Sequence, residues 1–337
     1  MPDGAMMGPS VSVLVPTFNE VGHIERCLET LAAQDYEAVV EIVVVDGGSE
    51  DGTLAVVEKW AGDGVVVVHN PDRVQSAGLN LAAHRANGEI LIRADAHSTY
   101  GPGYISRSVA VLTETGAQAV GGPMRVRGRT PFENAVAAAM SNPLGVGPAA
   151  FHDAEASGPV DTVYLGAFWR AHFLERGGYR SLPSGVAEDA DMYYRWRQAG
   201  DTIWLDPSIE SAYRPRGTWR ALARQFFRYG RGKADMLIMN RRVPSLRPLA
   251  PVGLVLAMLA SLVVWAFTGH IGLLIFVAGS WFTTLVGVWL FSARRHWRVV
   301  GVIAVMHVTY GSGFLVSSLL DPWSLLRGGE PRKAGDS

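Results

Sequence analysis

The sequence lacks several features that identify common classes of protein. Cys27 is the only cysteine among 337 residues, so an intrachain disulfide and a cysteine-rich zinc site are both excluded. The formal net charge of −1 gives no overall positive field of the kind that nucleic-acid-binding proteins carry. No G-x-G-x-x-G pattern follows the first apolar run, which argues against a dinucleotide oxidoreductase. The opening residues MPDGAMMGPS hold no basic region followed by an apolar run, so we expect no signal peptide.

Long apolar runs are concentrated in the part of the sequence that follows Pro248. Three runs of about 20 residues are each long enough for a bilayer-spanning helix. No charged residue falls within them, which disfavours a transporter. The sequence thus predicts a membrane region of about three spans over 248–321 and a tail over 322–337. The runs are Leu249–Phe267, Ile271–Phe291 and Val299–Leu320.

Basic residues around these runs predict the orientation of the chain. Three arginines precede the first run and three separate the second from the third, whereas the turn Thr268–His270 has no Lys or Arg. The positive-inside rule then places residues 1–247 and the 292–298 loop in the cytoplasm. Basic residues in the tail argue against an outside position for it, so the third run could instead be re-entrant. The six arginines are Arg241, Arg242, Arg247, Arg294, Arg295 and Arg298, and the basic tail residues are Arg327, Arg332 and Lys333.

Short apolar runs alternate with helical patterns across residues 11–240, and we expect residues 1–10 to be a disordered tail. The alternation predicts an α/β domain with a mostly parallel sheet flanked by helices. Ligands on such sheets bind outside the carboxyl ends of the strands, which is where Asp46 and Asp95 fall. The predicted strands are Val11–Val15, Glu41–Val45, Val65–Val68 and Glu89–Ala94.

Two strand ends carry side chains that suit nucleotide and metal binding. Asp46 precedes a Gly-Gly-Ser turn, and its carboxylate can accept hydrogen bonds from a nucleobase or a ribose; a helix-capping turn is the alternative. Asp95 and His97 lie two residues apart, on one side of an extended segment, so both can approach one divalent ion. A solvated acid in a turn is the alternative there. Magnesium or manganese suits oxygen ligands and phosphate, and His97 favours manganese.

An acidic cluster and a basic stretch follow later in the chain. Glu188 and Asp189 begin an amphipathic segment, where a carboxylate can act as a general base toward an acceptor hydroxyl. Favourable interaction with the helix dipole is the alternative reason for acids at that position. The 218–240 stretch predicts a basic amphipathic interface helix that contains Arg228. Its arginines can grip a pyrophosphate or lie on anionic lipid.

Taken in order, these motifs resemble the family 2 glycosyltransferases of the GT-A fold. VSVLVPTFNE resembles the opening strand of that family, EIVVVDGGSEDGT its nucleoside-binding acid, and GEILIRADAH its metal-binding strand end. AEDAD resembles part of the acceptor half, and QFFRY resembles the QxxRW motif. The resemblance covers about residues 11–235. The Asp-Ala-His form, followed by three spans, is most similar to the ExoA subgroup of succinoglycan glucosyltransferases.

The resemblance implies a role for each matching position. The nucleoside pocket would be lined by Pro16, Glu20 and Asp46. The divalent metal, Mg²⁺ or Mn²⁺, would be bound by Asp95 with His97 beside it. The catalytic base would be Asp189, with Glu188 positioning the donor or the acceptor. The diphosphate of the donor, or the phosphate of the acceptor, would be held by Gln225 and Arg228.

Two positions depart from the family pattern. His97 stands where the family has a second acid, so its part in metal binding is open. Tyr229 replaces the usual Trp of the QxxRW motif, which argues against a processive polymer synthase. The resemblance therefore implies a non-processive enzyme.

The expected activity is an inverting transfer of a sugar from a nucleotide-sugar donor, with a UDP-sugar as the expected donor, and without a covalent sugar–enzyme intermediate. The expected acceptor is a lipid-linked glycan or a polysaccharide precursor in exopolysaccharide synthesis, because the predicted spans hold the domain at the cell membrane. A polyprenyl-phosphate transferase is the first alternative, since a phosphate oxygen needs no base. A non-catalytic membrane scaffold that binds nucleotide sugar is the second alternative.

Overall fold

A computed structural model describes residues 8–62, 64–147, 149–242, 246–291 and 297–320. The strands are β1 Val11–Thr17, β2 Val39–Asp46, β3 Val65–His69, β4 Ile90–Arg93, β5 Ser98–Tyr100, β6 Ala119–Gly122, β7 Met124–Val126, β8 Gly158–Pro159, β9 Tyr164–Trp169, β10 Ile203–Leu205 and β11 Ser211–Tyr213. The α-helices are α1 Ile24–Ala32, α2 Thr53–Val57, α3 Gln75–Arg85, α4 Tyr104–Thr115, α5 Pro131–Met140, α6 Pro143–Val146, α7 Arg170–Glu175, α8 Glu188–Gln198, α9 Trp219–Asn240, α10 Ala250–Thr268, α11 Gly272–Phe291 and α12 Arg298–Leu320.

Within the described residues, eight strands form the central sheet in the order β3-β2-β1-β4-β9-β6-β10-β8. The first four strands run parallel to one another, as the alternation predicted. Strand β9 is antiparallel to both β4 and β6, so the sheet is mixed. A smaller sheet of β5, β11 and β7 lies beside it. The α/β prediction is confirmed, with β9 antiparallel in the middle of the sheet and β8 antiparallel to β10 at its edge.

Both faces of the sheet are buried, because alternate residues of each strand point to opposite sides. On β1, Val13 and Val15 join Ile24 and Leu28 of α1 in one core cluster. Leu14 points to the other face and packs in a second cluster that includes Phe168. A strand buried on both faces is mostly apolar, which explains the run Val11–Val15. Its one polar side chain, Ser12, is buried and donates to Glu41 of β2 at 2.7 Å.

Strand register brings the predicted acids to one edge of the sheet. Thr17, the last residue of β1, pairs with Asp46 at the end of β2. Leu14 pairs with Arg93, so Asp95 follows just beyond the end of β4. Because β1, β2 and β4 are parallel, Asp46 and Asp95 leave the sheet at the same edge.

The predicted tail over 1–10 needs a correction at its last residues, and residues 1–7 lie outside those described. The Tyr36 hydroxyl donates to the carbonyl oxygen of Pro9 at 2.8 Å. Ser10 donates from its backbone to Glu89 at 3.1 Å, and its carbonyl accepts from Ile90 at 2.9 Å. Pro9 and Ser10 are therefore ordered, because they lead directly into the central strand β1.

The described part of the C-terminal third contains three helices that are long and apolar enough to cross a membrane. They cover Arg247–Thr268, Gly272–Leu290 and Arg298–Leu319, with mean hydropathy of 2.3, 1.9 and 1.8. The predicted apolar runs match these bounds within two residues. The last helix, α12, packs against α9 and α5 of the preceding domain. The predicted tail over 322–337 lies outside the described residues.

Candidate active site

The turn after β2 uses the carboxylate of Asp46 to organise its own backbone. Oδ2 of Asp46 accepts from the backbone N–H groups of Gly48 at 2.8 Å and Ser49 at 2.9 Å, and Oδ1 accepts from the Ser49 hydroxyl. Gly48 has a φ of +85°, and a Cβ there would lie 3.2 Å from the guanidinium of Arg73. Asp46 is therefore a turn-organising residue, and a ligand would meet its remaining lone pairs.

The loop after β1 is tied to this turn. The backbone N–H of Asn19 donates to the Ser49 hydroxyl at 2.9 Å, and that of Glu20 donates to Thr53 at 2.8 Å. Pro16, near the end of β1, pairs with Val45 of β2. The three residues predicted for nucleoside binding thus lie at one edge of the sheet, with Pro16 and Asp46 at the ends of β1 and β2 and Glu20 in the loop after β1.

Arg93 links the predicted metal-binding acid to the predicted catalytic cluster. It is 6% exposed; its Nε lies 3.0 Å from Oδ1 of Asp95, and an Nη lies 3.1 Å from Oε1 of Glu188. Burial alone would raise the pKa of Asp95, but Arg93, with a smaller contribution from His97, holds that pKa below its usual value. Burial outweighs Arg93 at Glu188 and raises the pKa of that carboxyl. One buried cation therefore joins the end of β4 to the start of α8.

His97 is close to this pair but is also engaged elsewhere. Its Nδ1 lies 3.6 Å from the carboxylate of Glu20, and its ring makes an edge contact with Tyr213 at 5.5 Å between centroids. No group of three His, Cys, Asp or Glu side chains with metal-binding geometry occurs in the described part of the chain. An ion at Asp95 would accordingly need water and the phosphates of a ligand to complete its coordination, which is usual for Mg²⁺.

The three acids that open α8 have three different environments. Asp191 is fully buried and bonds to Arg180, Arg195 and Asn240, so it holds the helix in place. Glu188 is buried against Arg93. Asp189 is half-buried, and the only hydrogen bond it makes with described residues is a local one from the N–H of Ala190 at 2.7 Å. Of these three acids, Asp189 is the one whose carboxylate forms no ion pair with a described residue.

The backbone before these acids is conformationally unusual. Ala187 adopts a left-handed φ of +68°, which costs free energy for a residue with a side chain. Helix α9 holds this loop, since a Cβ at Gly232 would lie 2.9 Å from the carbonyl oxygen of Val186. Asp235 of α9 also accepts from the backbone N–H of Ser184 at 2.8 Å. The loop that presents Glu188 and Asp189 is therefore fixed by α9.

Helix α9 also carries the motif that resembles QxxRW. Gln225 donates to the hydroxyls of Tyr213 at 2.7 Å and Tyr229 at 2.9 Å. The Oε1 atom of Gln225 is buried and has no hydrogen-bond partner among the described residues. Burial and the neighbouring Arg216 lower the pKa of Arg228, although Tyr229 opposes this. The unpaired acceptor Oε1 of Gln225 favours a ligand group that donates a hydrogen bond, such as a hydroxyl. The crowding of Arg228 by other cations favours an anionic group, so a ligand with both hydroxyl and phosphate groups suits this place.

Sequence patterns singled out most of the residues that meet here, but they missed Arg93, Tyr213 and Arg216. A signal for Arg93 was present, because it is a charged residue at the end of a buried strand of the form ILIR. A lone charge inside a core must be paired, and the nearest acid in the sequence was Asp95. The partnership with Glu188, 95 positions away, could not be read from spacing.

Comparisons with known proteins identify the family of the chain. The model of the family described as "Glycosyl transferase family 2" matches residues 12–173. The succinoglycan biosynthesis protein ExoA of Rhizobium meliloti (strain 1021) is 31% identical over 326 residues, which cover 93% of this chain and 96% of that protein. A dolichyl N-acetyl-alpha-D-glucosaminyl phosphate 3-beta-D-2,3-diacetamido-2,3-dideoxy-beta-D-glucuronosyltransferase of Methanococcus voltae is 26% identical over 79% of this chain and 83% of its own.

A solved structure supports the fold. Mannosyltransferase PcManGT from Pyrobaculum calidifontis, in complex with GDP-Man and Mn²⁺, aligns with a TM-score of 0.67 at 20% sequence identity. The alignment covers 94% of this chain and 89% of that chain. The matching fold, the full-length similarity to ExoA and the family model lead to one conclusion: the chain belongs to glycosyltransferase family 2, and it is a glycosyltransferase with the GT-A fold.

Proposed function

We propose that this enzyme transfers a sugar, with inversion, from a nucleotide-sugar donor to a hydroxyl of a lipid-linked glycan or polysaccharide precursor. A UDP-sugar is the proposed donor. The observation that carries the proposal is the arrangement around Arg93, which holds Asp95 and Glu188 and leaves Asp189 next to them without a cation. In an inverting displacement one carboxylate must remain free to remove the acceptor's proton.

Asp189 is the proposed base. Its neighbour Glu188 is held by Arg93 at 3.1 Å, and Asp191 is enclosed by two arginines. Asp189 alone of the three is half-buried and open to an acceptor. As the acceptor hydroxyl attacks, its proton would pass to Asp189 while Glu188 stays fixed and orients the substrates. The bond from the sugar to the donor's diphosphate breaks in the same step, so no sugar–enzyme bond is needed.

Asp95, with His97 beside it, is the proposed site for Mg²⁺ or Mn²⁺. Oδ1 of Asp95 faces Arg93, which leaves Oδ2 for an ion. Because Arg93 keeps the pKa of Asp95 low, the carboxylate is ionised and ready to bind a cation at neutral pH. The Mn²⁺ in the complex of PcManGT supports this assignment. A bound divalent ion would neutralise charge on the diphosphate leaving group.

Gln225 and Arg228 are proposed to hold a phosphate group of the donor or the acceptor. Gln225 is oriented by two tyrosine hydroxyls. Arg228 lies near Arg216, and their repulsion would be relieved by an anion between them. A guanidinium is well suited to phosphate because it donates two parallel hydrogen bonds.

The proposed acceptor is a lipid-linked glycan at the cytoplasmic face of the cell membrane. Three apolar helices that could cross a membrane follow the catalytic domain directly. The name of the Methanococcus voltae relative describes a dolichyl-phosphate-linked sugar as acceptor. Arginines precede α10 and follow α11, and the turn between the two helices has none. By the positive-inside rule, this distribution favours a cytoplasmic catalytic domain.

The Asp189→Asn variant tests the catalytic base. We expect turnover to fall about 10²- to 10⁴-fold, the usual contribution of a positioned general base, with little change in KM. The assay is release of nucleoside diphosphate by detergent-purified full-length protein, supplied with nucleotide sugars and a membrane lipid extract. Glu114→Gln, which changes an exposed acid on α4, is the control. Wild-type turnover in Asp189→Asn would exclude Asp189 as the base.

The identity of the acceptor group is tested by the same variant. A hydroxyl acceptor needs a base, whereas the oxygen of a polyprenyl phosphate is already ionised. Activity on bare polyprenyl phosphate that is unaffected by Asp189→Asn would therefore replace the lipid-linked glycan with the phosphate as acceptor. Activity on a lipid-linked sugar that is lost in the variant would support the proposal.

The Asp95→Asn variant and a chelator test the metal site. We expect EDTA to abolish wild-type activity and added Mn²⁺ or Mg²⁺ to restore it. In Asp95→Asn we expect weaker binding of Mn²⁺, measured without turnover by electron paramagnetic resonance of the free ion. His97→Ala, measured in the same way, reports whether the imidazole contributes. Unchanged Mn²⁺ binding in Asp95→Asn would place the ion elsewhere.

A further inference from the structure

The three apolar helices differ in how much of their surface is exposed. Residues 262–268 of α10 are all exposed, as are most residues of the first half of α11. Phe267 is 87% exposed and Phe276 is 70% exposed. Along α12, by contrast, every residue from Arg298 to Ser318 is buried or half-buried. Lipid therefore has extensive access to α10 and α11 but little access to α12.

Helix α12 is covered on one side by α9, which it follows in parallel. Trp219 at the start of α9 lies against Gly301, and Phe227 lies against Gly313 further along. A side chain at Gly230 would collide with the backbone at Tyr310. These contacts run over residues 219–235 of α9, a length of about 25 Å at 1.5 Å per residue. The two helices are one packed unit over nearly the whole length of α12.

A buried polar contact lies at the far end of this pair. The Ser317 hydroxyl of α12 donates to Oδ1 of Asp235, and both residues are at most 1% exposed. Oδ2 of Asp235 accepts from the backbone of Ser184, in the loop that precedes the catalytic acids. Helix α12 is thus bonded through α9 to the catalytic domain itself.

This pairing conflicts with a membrane-crossing path for α12. If α12 crossed the bilayer, α9 would have to lie at the same depth beside it. Arg220 and Arg224 of α9 are exposed, so they would face hydrocarbon, where charged side chains are costly. An apolar helix can equally pack against protein, and α12 already packs against α9, α10, α11 and α5.

The start of α10 and the end of α11 pack against α12. A Cβ at Gly311 would lie 2.8 Å from Val255 near the start of α10. Leu285 and Val288, near the end of α11, pack in the same cluster as Val302 of α12. The opposite ends of α10 and α11, around the turn Thr268–His270, lie away from these contacts and are exposed. Each helix is about 30 Å long, close to the thickness of the hydrocarbon core.

We infer that the chain crosses the membrane only as the α10–α11 hairpin, and that α12 is an interfacial support on the same side as the catalytic domain. The charges agree with this path, independently of the proposed acceptor. All nine flanking Arg and Lys residues singled out in the sequence fall on one side, and the uncharged turn Thr268–His270 falls on the other. With three crossings, the basic tail would be separated from the other arginines.

Three variants, each with one cysteine added to the native Cys27, test this path in the full-length protein. Lys59→Cys reports on the catalytic domain, His270→Cys on the turn, and Ala334→Cys on the C-terminal tail. Each variant is expressed in bacterial cells and treated with a membrane-impermeant maleimide before and after lysis. We expect intact spheroplasts to be labelled at His270→Cys, and the other two positions to react only after lysis. Labelling at Lys59 and Ala334 but not at His270 would also support the hairpin, with the opposite orientation.

Two results would overturn the inference. Labelling of both Ala334→Cys and His270→Cys in intact spheroplasts, with Lys59→Cys protected, would show a third crossing. Protection of all three positions would show that the hairpin does not cross. Cys27 is fully buried, so it serves as a folding control and should react only in detergent that unfolds the protein. A green fluorescent protein fused after Ser337 gives a second readout, since it fluoresces in the cytoplasm and not after export.

Discussion

Replacing Arg93 with Met tests the link between the two halves of the active site. The guanidinium of Arg93 is 8% exposed, and it pairs with Asp95, 13% exposed, and Glu188, 8% exposed. Methionine fills much of the same volume but leaves two buried carboxylates without their cation. Removing one partner of a buried ion pair typically destabilises a protein by about 3–5 kcal/mol. We expect a loss of that size at neutral pH.

The pH dependence of this loss has a definite sign. In the wild type, Arg93 holds the pKa of Asp95 below its usual value, so this contribution to stability exists above that value and disappears as the pH falls. In Arg93→Met, burial acts unopposed and raises the pKa of both carboxyls. Groups with a raised pKa contribute stability at low pH and lose it as the pH rises. The deficit of the variant should therefore be greatest near pH 8 and shrink toward pH 5.

Thermal unfolding of the full-length protein in detergent at pH 5 and pH 8 measures this difference. For a chain of this size, about 1 kcal/mol corresponds to about 2 °C in Tm, so we expect a decrease of about 6–10 °C at pH 8. Arg26→Met is the matched control, because Arg26 pairs with Glu29 on the surface and both side chains are exposed. Exposed pairs contribute about 0–1 kcal/mol. A decrease of under 2 °C, or an equal decrease at both pH values, would refute the reasoning.

Two further predictions concern the packing that supports the site. Gly230→Leu should separate α9 from α12, because its side chain would collide with the backbone at Tyr310, and we expect the loss of stability to exceed about 3 kcal/mol. Gly253→Leu, on α10 with nothing within 4 Å, is the control and should leave the Tm unchanged. Asp191→Asn should lower the stability by about 3–5 kcal/mol, since Arg180 and Arg195 would lose their shared carboxylate; a Tm equal to that of the wild type would contradict the structural role assigned to Asp191.

Local sequence patterns predicted the parts of the fold that depend on local physics. The mostly apolar runs of β1, β2 and β4, with Asp46 at the end of β2 and Asp95 just after β4, place the sheet edge correctly. Hydropathy located the three C-terminal helices within two residues because it depends only on consecutive side chains. Strand β9 was not predicted as antiparallel, since its pairing with β4 and β6 joins residues that are distant in the sequence.

The candidate site likewise combines features that local sequence patterns predicted with features that depend on contacts between distant residues. The pattern identified only a cluster of acids at a helix start, and the family resemblance implied that Asp189 is the base. The distinction of Asp189 from Asp191 depends on Arg180 and Arg195, which pattern and spacing do not identify. The carboxylate of Asp46 organises the turn after β2, and its binding of a nucleoside stays a prediction. The path of α12 was open for a physical reason, because an apolar helix fits lipid and a protein core equally well.

Asp235 links the loop that precedes the acids of α8 to α12, the helix that packs against the proposed membrane hairpin. Asp235 holds the backbone of Ser184, three residues before the left-handed Ala187, and it is itself capped by Ser317 of α12. Glu188 and Asp189, the proposed catalytic acids, are therefore linked to the helix against which the proposed α10–α11 hairpin packs. An acceptor carried on a membrane lipid presents its hydroxyl at a set distance from the bilayer. A rigid link from Asp189 through α9 and α12 to the hairpin keeps the base at one distance as well, which is what a single positioned proton transfer requires.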